Sequence, residues 1–253
     1  MLIVVSPAKK LDFEIPAPTQ KFTQLTELAK SEQLIKELKK CDAMKISALM
    51  KLSDSLTELN MKRYKGFKTP FNLQNAKQAL FAFKGDTYVG LDAETMNAND
   101  IDYAQEHLRI LSGLYGLVSP LDLVQPYRLE MGTKFSCGKN NNLYEFWEES
   151  ITEKLGTLLK KEKTLINLAS KEYFSAINFK KLDAKIITPA FKEKKGNEFK
   201  MVGFFAKKAR GMMSRYIIDN RIESPMDLLK FDIDGYKYNK KLSSDLGPVF
   251  TRG

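Results

Sequence analysis

The sequence predicts an α/β fold, a single domain over residues 1–253 with a central mixed sheet flanked by helices. Two short and almost purely apolar runs, Leu2-Ile-Val-Val5 and Leu165-Ile-Asn-Leu-Ala169, have the composition of strands covered on both faces. Between them lie stretches whose apolar residues recur at three-four spacing, the helical period. A chain of 253 residues with a 43% hydrophobic share can bury one large core.

The first strand ends at Ser6-Pro-Ala-Lys9. Ligands of open α/β sheets dock at the carboxyl ends of strands, so Ser6 and Lys9 are candidate site residues. From Thr23 to about Tyr64, Leu34, Ile35 and Leu38, then Leu49, Leu52, Leu56 and Leu59, predict two or three amphipathic helices. Ala79 to Phe83, followed by the turn Lys84-Gly-Asp86, reads as a second buried strand. A helix over Asp100 to Leu111 is expected to break at Ser112-Gly-Leu-Tyr-Gly116. Ser119-Pro-Leu-Asp122 offers an N-cap serine, a proline at the first helical position and an acid at the third, and Ser224-Pro-Met-Asp227 repeats the device. A long helix is expected over Tyr144 to Leu159, with Phe146, Trp147, Ile151, Leu155, Leu158 and Leu159 on its apolar face. Lys185 to Thr188 and Phe199 to Phe205 read as strands joined through a Lys-rich turn at Lys192 to Asn197. Lys207 to Arg221 reads as a helix, and the last thirty residues as turns with one hairpin.

Composition narrows the function classes. No apolar run approaches the roughly 20 residues of a membrane span, and Met1 to Val5 lacks the form of a signal peptide, so a cytoplasmic protein without membrane contact is expected. Cys41 and Cys137 are too few for a disulfide framework and are expected to be free thiols. The single histidine, His107, rules out His-rich metal sites and makes triad hydrolysis a poor fit. Neither GxGxxG nor GxxxxGK[ST] occurs, and the residues point to no cofactor and no metal.

Charge is unevenly placed within a formal net charge of +10. Lys192 to Arg221 holds nine Lys and Arg against Glu193, Glu198 and Asp219, a net +6. Lys207, Lys208, Arg210 and Arg215 share one expected helix with Gly211, a pattern that fits a phosphate backbone and fits equally a solvated helix face. Asp92, Glu94, Asp100, Asp102 and Glu106 form the opposite pole, with no Lys or Arg among them. Such acids could hold a hard cation, or could simply favour a helix N-terminus.

Several long motifs carry a family resemblance. Ser6-Pro-Ala-Lys9, Phe83-Lys-Gly-Asp-Thr-Tyr-Val-Gly-Leu91, the run from Leu108 through Leu-Ser-Gly-Leu-Tyr-Gly116 to Pro126-Tyr-Arg-Leu-Glu-Met-Gly132, Asn167-Leu-Ala-Ser170 with Glu172-Tyr173, and Ala206-Lys-Lys-Ala-Arg-Gly211 together resemble the bacterial YaaA peroxide-stress family. The resemblance covers essentially the whole chain in order. It implies a protein that protects against hydrogen peroxide by limiting unincorporated iron, and so Fenton damage to DNA. It also implies a family-specific α/β fold with a basic cleft and a helix-hairpin-helix-like element. The partner would then be double-stranded DNA, bound without sequence specificity by a monomer. The hairpin would map to Gly113, Tyr115 and Gly116, with one residue more than the usual Gly-hydrophobic-Gly turn and an acidic neighbourhood.

A second constellation stands beside the first. Ser6 and Lys9 after the first strand, Asn167, Ser170 and Tyr173 after the third, and Arg128 with Glu130 would meet at one sheet edge if the two strands run parallel as neighbours. Such a pocket fits an undiscovered enzyme acting on a phosphorylated or nucleobase-like small molecule, and fits a buried structural network as well. Glu130 is expected within hydrogen-bonding reach of Lys9 or Arg128. Cys137, in a polar loop, is the better placed of the two thiols to sense peroxide.

Overall fold

The N-terminal apolar run forms β1 (Leu2–Val5), every residue of which is buried, in a computed structural model describing residues 1–253. After the short β2 (Lys10–Leu11) come three helices, α1 (Leu28–Lys39), α2 (Ala43–Met50) and α3 (Asp54–Gly66). Short pieces follow: β3 (Lys77–Gln78), α4 (Ala79–Ala82), β4 (Phe83–Lys84) and α5 (Asp86–Leu91). α6 (Ala98–His107) leads into β5 (Leu108–Ser112), β6 (Gly116–Val118) and β7 (Leu123–Val124). The long α7 (Leu143–Glu162) leads into β8 (Thr164–Leu168), α8 (Lys171–Phe174) and β9 (Lys185–Ile187). Then come β10 (Ala190–Lys195), β11 (Glu198–Lys200), α9 (Gly203–Asp219), β12 (Lys237–Tyr238) and β13 (Val249–Arg252).

The main sheet has the order β6-β5-β1-β8-β9. β1 is central and parallel to β5 on one side and β8 on the other, and Val5 lies level with Ile110 and with Leu168. β9 extends the parallel set, and β6 turns back antiparallel. The chain leaves β1 toward one side and later returns on the other, so a topological switch point falls between β1 and β8, where α/β sheets usually bind ligands. The two apolar runs picked out in the sequence are thus parallel neighbours. A second, mixed sheet has the order β11-β10-β13-β12. One cluster of 69 buried residues reaches from Met1 to Phe250, so both sheets share a single core.

Several expected elements take another form. The strand expected over 79–83 is replaced by α4 and the start of β4, the Ala79 and Leu80 N–H groups donating to the Asp122 and Pro120 carbonyls of a loop. The helix expected to reach Leu111 stops at His107, and Arg109 takes up the freed Gln105 carbonyl at 2.8 Å while Leu108–Ser112 pairs with its neighbours. No helix starts at Pro120, since the Asp122 carboxylate accepts from Ser119 N–H at 2.7 Å and Thr23 Oγ1 at 2.6 Å and turns the chain. The same device at Ser224 caps a 3-10 segment, Pro225–Lys230. The Lys-rich stretch from Lys192 is mostly strand β10, and α9 begins at Gly203, earlier than expected.

The helix-hairpin-helix-like element is not formed at Gly113 to Gly116. These residues make the tight turn of the β5–β6 hairpin, with Leu114 fully buried and Tyr115 at 1% exposure. Gly116 adopts φ +70° against the ring of Trp147, whose Nε1 donates to the Gly113 carbonyl at 2.9 Å. The apolar run continues as a strand because β1 offers a backbone partner that an isolated helix end would lack.

Helices α5 and α9 touch backbone to backbone. A Cβ on Gly211 would overlap the Thr87 carbonyl oxygen, and one on Gly90 would overlap the Lys208 carbonyl. Nearby, Asp12 ties β2 and β4 together. Its carboxylate accepts from the Ile15 and Glu14 N–H groups at 3.1 and 3.0 Å and lies 3.9 and 3.6 Å from the Lys77 and Lys84 ammonium groups. These bonds, that from Ile15 foremost, hold the Asp12 carboxyl below its ordinary range against the opposing effect of burial.

Two outcomes follow from this packing. Gly211→Ala should destabilise the fold by about 1–3 kcal/mol through overpacking against backbone, read as a lowered urea midpoint with unchanged m-value. Asp12 binds its proton more weakly in the folded chain, so its charge stabilises above the ordinary aspartate value of 3.8 and the benefit fades as pH falls below it. Asp12→Asn should therefore melt lower than the parent at pH 7, and the gap should narrow steadily as the pH drops under 4 in paired thermal melts. A gap independent of pH would contradict this.

Candidate functional site

The parallel pairing of β1 and β8 sets Ser6 beside Ser170 at the strand ends. Ser170 N–H donates to Ser6 Oγ at 2.8 Å, the Ser6 hydroxyl donates to Ser170 Oγ at 3.3 Å, and Ser170 Oγ also accepts from Tyr173 N–H at 3.5 Å as the cap of α8. The Tyr88 hydroxyl donates to the Ser6 carbonyl at 3.2 Å. Burial pushes the Tyr88 and Tyr173 phenols well above their ordinary range, which fits both for donating hydrogen bonds rather than for acting as bases.

Glu130, expected within reach of Lys9 or Arg128, bridges both cations. One carboxylate oxygen lies 2.7 Å from Lys9 Nζ, and the other accepts from Arg128 Nε and Nη2 at 3.2 and 3.0 Å. Arg128 stands behind Glu130 and does not line the cleft. Asn167 is buried and spends its amide on the strand end, accepting from Ala169 N–H at 3.1 Å and donating to Thr188 Oγ1 at 3.3 Å.

From the opposite side, α9 brings Lys207 and Arg210 onto the same cleft, a cavity of about 350 Å³ also walled by the start of α5. The basic helix and the strand-end constellation, read as separate candidates, are therefore two walls of one site. The helix does not present a continuous basic ridge. Gly211, Ser214 and Ile218 are buried against the fold. Lys208 pairs with Asp234 at 3.3 Å, and Arg215 pairs with Asp219 at 2.6 Å and donates to the Asp92 carbonyl at 2.8 Å. Gly113, Tyr115 and Gly116 are buried in the hairpin turn, away from the cleft.

The cleft is basic with specific exceptions. Lys9, Lys10, Lys84, Lys207 and Arg210 line it together with Asp86, Glu130 and Glu172. Lys9 is taken by Glu130, and Lys84 lies between Asp12 and Glu94, the Glu94 hydrogen bond first among the interactions that raise its pKa. Lys10, Lys207 and Arg210 have no carboxylate oxygen within 4.0 Å. Burial, and no neighbouring charge, lowers the Arg210 pKa from its ordinary value, although its guanidinium remains fully cationic.

Sequence reasoning missed Lys84, Asp86 and Tyr88, because residues 79–86 were read as a strand and turn rather than as the wall of a site, and it missed Lys10, which follows the Ser6–Lys9 stretch directly. The one available signal was the density of polar residues in Lys84-Gly-Asp-Thr-Tyr88 beside a buried aromatic run. The acidic pole does not assemble. Glu94 pairs with Lys84, Asp100 with Arg221 and Asp102 with Lys21, cations drawn from distant segments. Both thiols are buried, and burial raises that of Cys137, the reverse of what a peroxide-sensing cysteine requires.

No helix is long and apolar enough to cross a membrane. Residues 1–242 match the model of a family described as "Peroxide stress protein YaaA". Relatives named "UPF0246 protein" from Shewanella piezotolerans and Hahella chejuensis are each 52% identical over 254 residues, covering 100% of this chain and 99% of their own. One of the same name from Colwellia psychrerythraea is 51% identical with the same coverage. With motifs, fold and near full-length identity in agreement, the chain belongs to the YaaA peroxide stress protein family.

Proposed function

We propose that this chain serves the peroxide-stress response by binding double-stranded DNA through its phosphates, without base specificity, at the cleft between the β1 and β8 ends and α9. The observation that carries this reading is that Lys10, Lys207 and Arg210 meet on one cleft with no carboxylate of their own. Unneutralised cations at a concave surface concentrate anions, and phosphate contacts position nucleic acid without reading sequence. DNA is also the target that Fenton chemistry damages, so the reading joins to the family's expected role in limiting unincorporated iron. Both oxygens of Glu130 are engaged by Lys9 and Arg128, which favours binding over acid–base catalysis by that residue.

Duplex affinity should fall with salt, with a log–log slope magnitude of about 3, reflecting about three phosphate contacts. Replacing Lys10, Lys207 and Arg210 together by Ala should weaken duplexes of unrelated sequence to the same degree. Lys208→Ala should change binding little, because Lys208 is already paired with Asp234. Fluorescence anisotropy over a salt series would measure all three. Absence of binding at low salt, or a loss confined to one sequence, would contradict the proposal.

A further inference from the structure

We propose that the inner end of this cleft is a site for a single phosphomonoester on a hydroxyl-bearing molecule of nucleotide size. The inference rests on reading the cleft as a phosphate site and names the form of phosphate that its depth is built for. A volume of about 350 Å³ falls in the range of small-ligand pockets. A cavity of this volume holds a small group or a chain end and is too small for a duplex.

Position and chemistry agree. The cavity lies at the carboxyl ends of β1 and β8, at the switch point of the parallel sheet. Arg210 supplies a planar fork suited to two phosphate oxygens, and its guanidinium opens onto the cavity with no carboxylate within reach. Lys207 adds a second cation on the preceding turn of α9. The serine relay ends in a free donor: Ser170 N–H donates to Ser6 Oγ, the Ser6 hydroxyl donates to Ser170 Oγ, and the Ser170 hydroxyl proton has no acceptor in the protein. A dianionic phosphate offers that acceptor. Asp86, which lines the same cavity and has no cationic partner, suits the hydroxyls of the attached sugar rather than the phosphate.

One chemistry has two sources here, a free nucleotide or sugar phosphate and the 5′-phosphate of a DNA end. Titration calorimetry of the full chain with adenosine 5′-monophosphate and with adenosine should show one site for the monophosphate and at least tenfold weaker binding of the nucleoside. Arg210→Gln should weaken the monophosphate at least tenfold. Arg210→Lys, which keeps the charge but loses the fork, should also weaken it, and thermal melts of both variants would establish that they are folded. Competition by a short duplex bearing 5′-phosphate against the same duplex with 5′-hydroxyl separates the sources. Stronger displacement by the phosphorylated end assigns the site to DNA ends, and equal displacement assigns it to a free small molecule. Equal affinity for nucleotide and nucleoside, no binding at millimolar nucleotide, or unchanged affinity in folded Arg210→Gln would overturn the inference. Salt-dependent duplex binding would still stand after that result, whereas nucleotide binding with no duplex binding at low salt would remove the DNA reading alone.

Discussion

Two helices can meet backbone to backbone only where neither carries a side chain, and Gly90 on α5 and Gly211 on α9 supply that absence. The contact fixes more than a packing angle. α5 begins at the rim of the strand ends, so seating α9 on it brings Lys207 and Arg210 over Ser6 and Ser170. Further ties hold α9 in place. Lys208 reaches Asp234, which also pairs with Arg252 at 2.7 Å, and Arg252 in turn holds the buried Glu193 at 2.9 Å. Arg215 binds the loop after α5 through the Asp92 carbonyl and Thr95 Oγ1. A cleft wall anchored in this way is preorganised, which lowers the ordering cost of binding.

The local field at the cleft depends on which charges remain unpaired after folding, not on the total. Fewer than half of the 41 Lys and Arg lie within 4.0 Å of a carboxylate, and many of those pairs are exposed and contribute only about 0–1 kcal/mol each. Their effect is to cancel local fields. Three of the five acids of the pole at 92–106, Asp102, Glu94 and Asp100, pair with Lys21, Lys84 and Arg221, and Lys208 and Arg215 are neutralised across to Asp234 and on α9 itself. At the cleft Lys10, Lys207 and Arg210 remain without a carboxylate within 4.0 Å, on walls that also carry the Ser6 and Ser170 hydroxyls and the carboxylates of Asp86, Glu130 and Glu172.

Much of this arrangement was legible in the sequence. Doubly covered strands announce themselves as apolar runs, so β1 and β8 could be placed, and with them the convergence of Ser6 and Ser170. Glu130 was expected within reach of Lys9 or Arg128 because a buried cation without a counter-charge is costly, and the structure has it engage both. The region from Lys77 to Leu91 was not legible, because the Ala79 and Leu80 N–H groups bond loop carbonyls at Asp122 and Pro120 and the flanking strands pair with distant β2 and β7. Leu108 to Ser112 looked like the end of a helix since a short apolar run carries no period of its own, and β1 decides the matter. At Pro120 the same local device that starts a helical turn after Ser224 yields a plain turn, because Thr23 recruits the Asp122 carboxylate. The merger of the basic helix with the strand-end pocket depended on the Gly90–Gly211 contact, which no local pattern encodes.

The central claim is that Arg210 is an anion-binding group at the strand ends. It is tested most directly by following the arginine side-chain Nε–Hε resonances of the nitrogen-15-labelled chain during titration with a short duplex at low salt. The account predicts a saturable shift of the Arg210 resonance at the same midpoint as overall binding, with Arg252 and Arg215, already committed to carboxylates, moving little. Binding that shifts Arg215 or Arg252 and leaves Arg210 in place would contradict it.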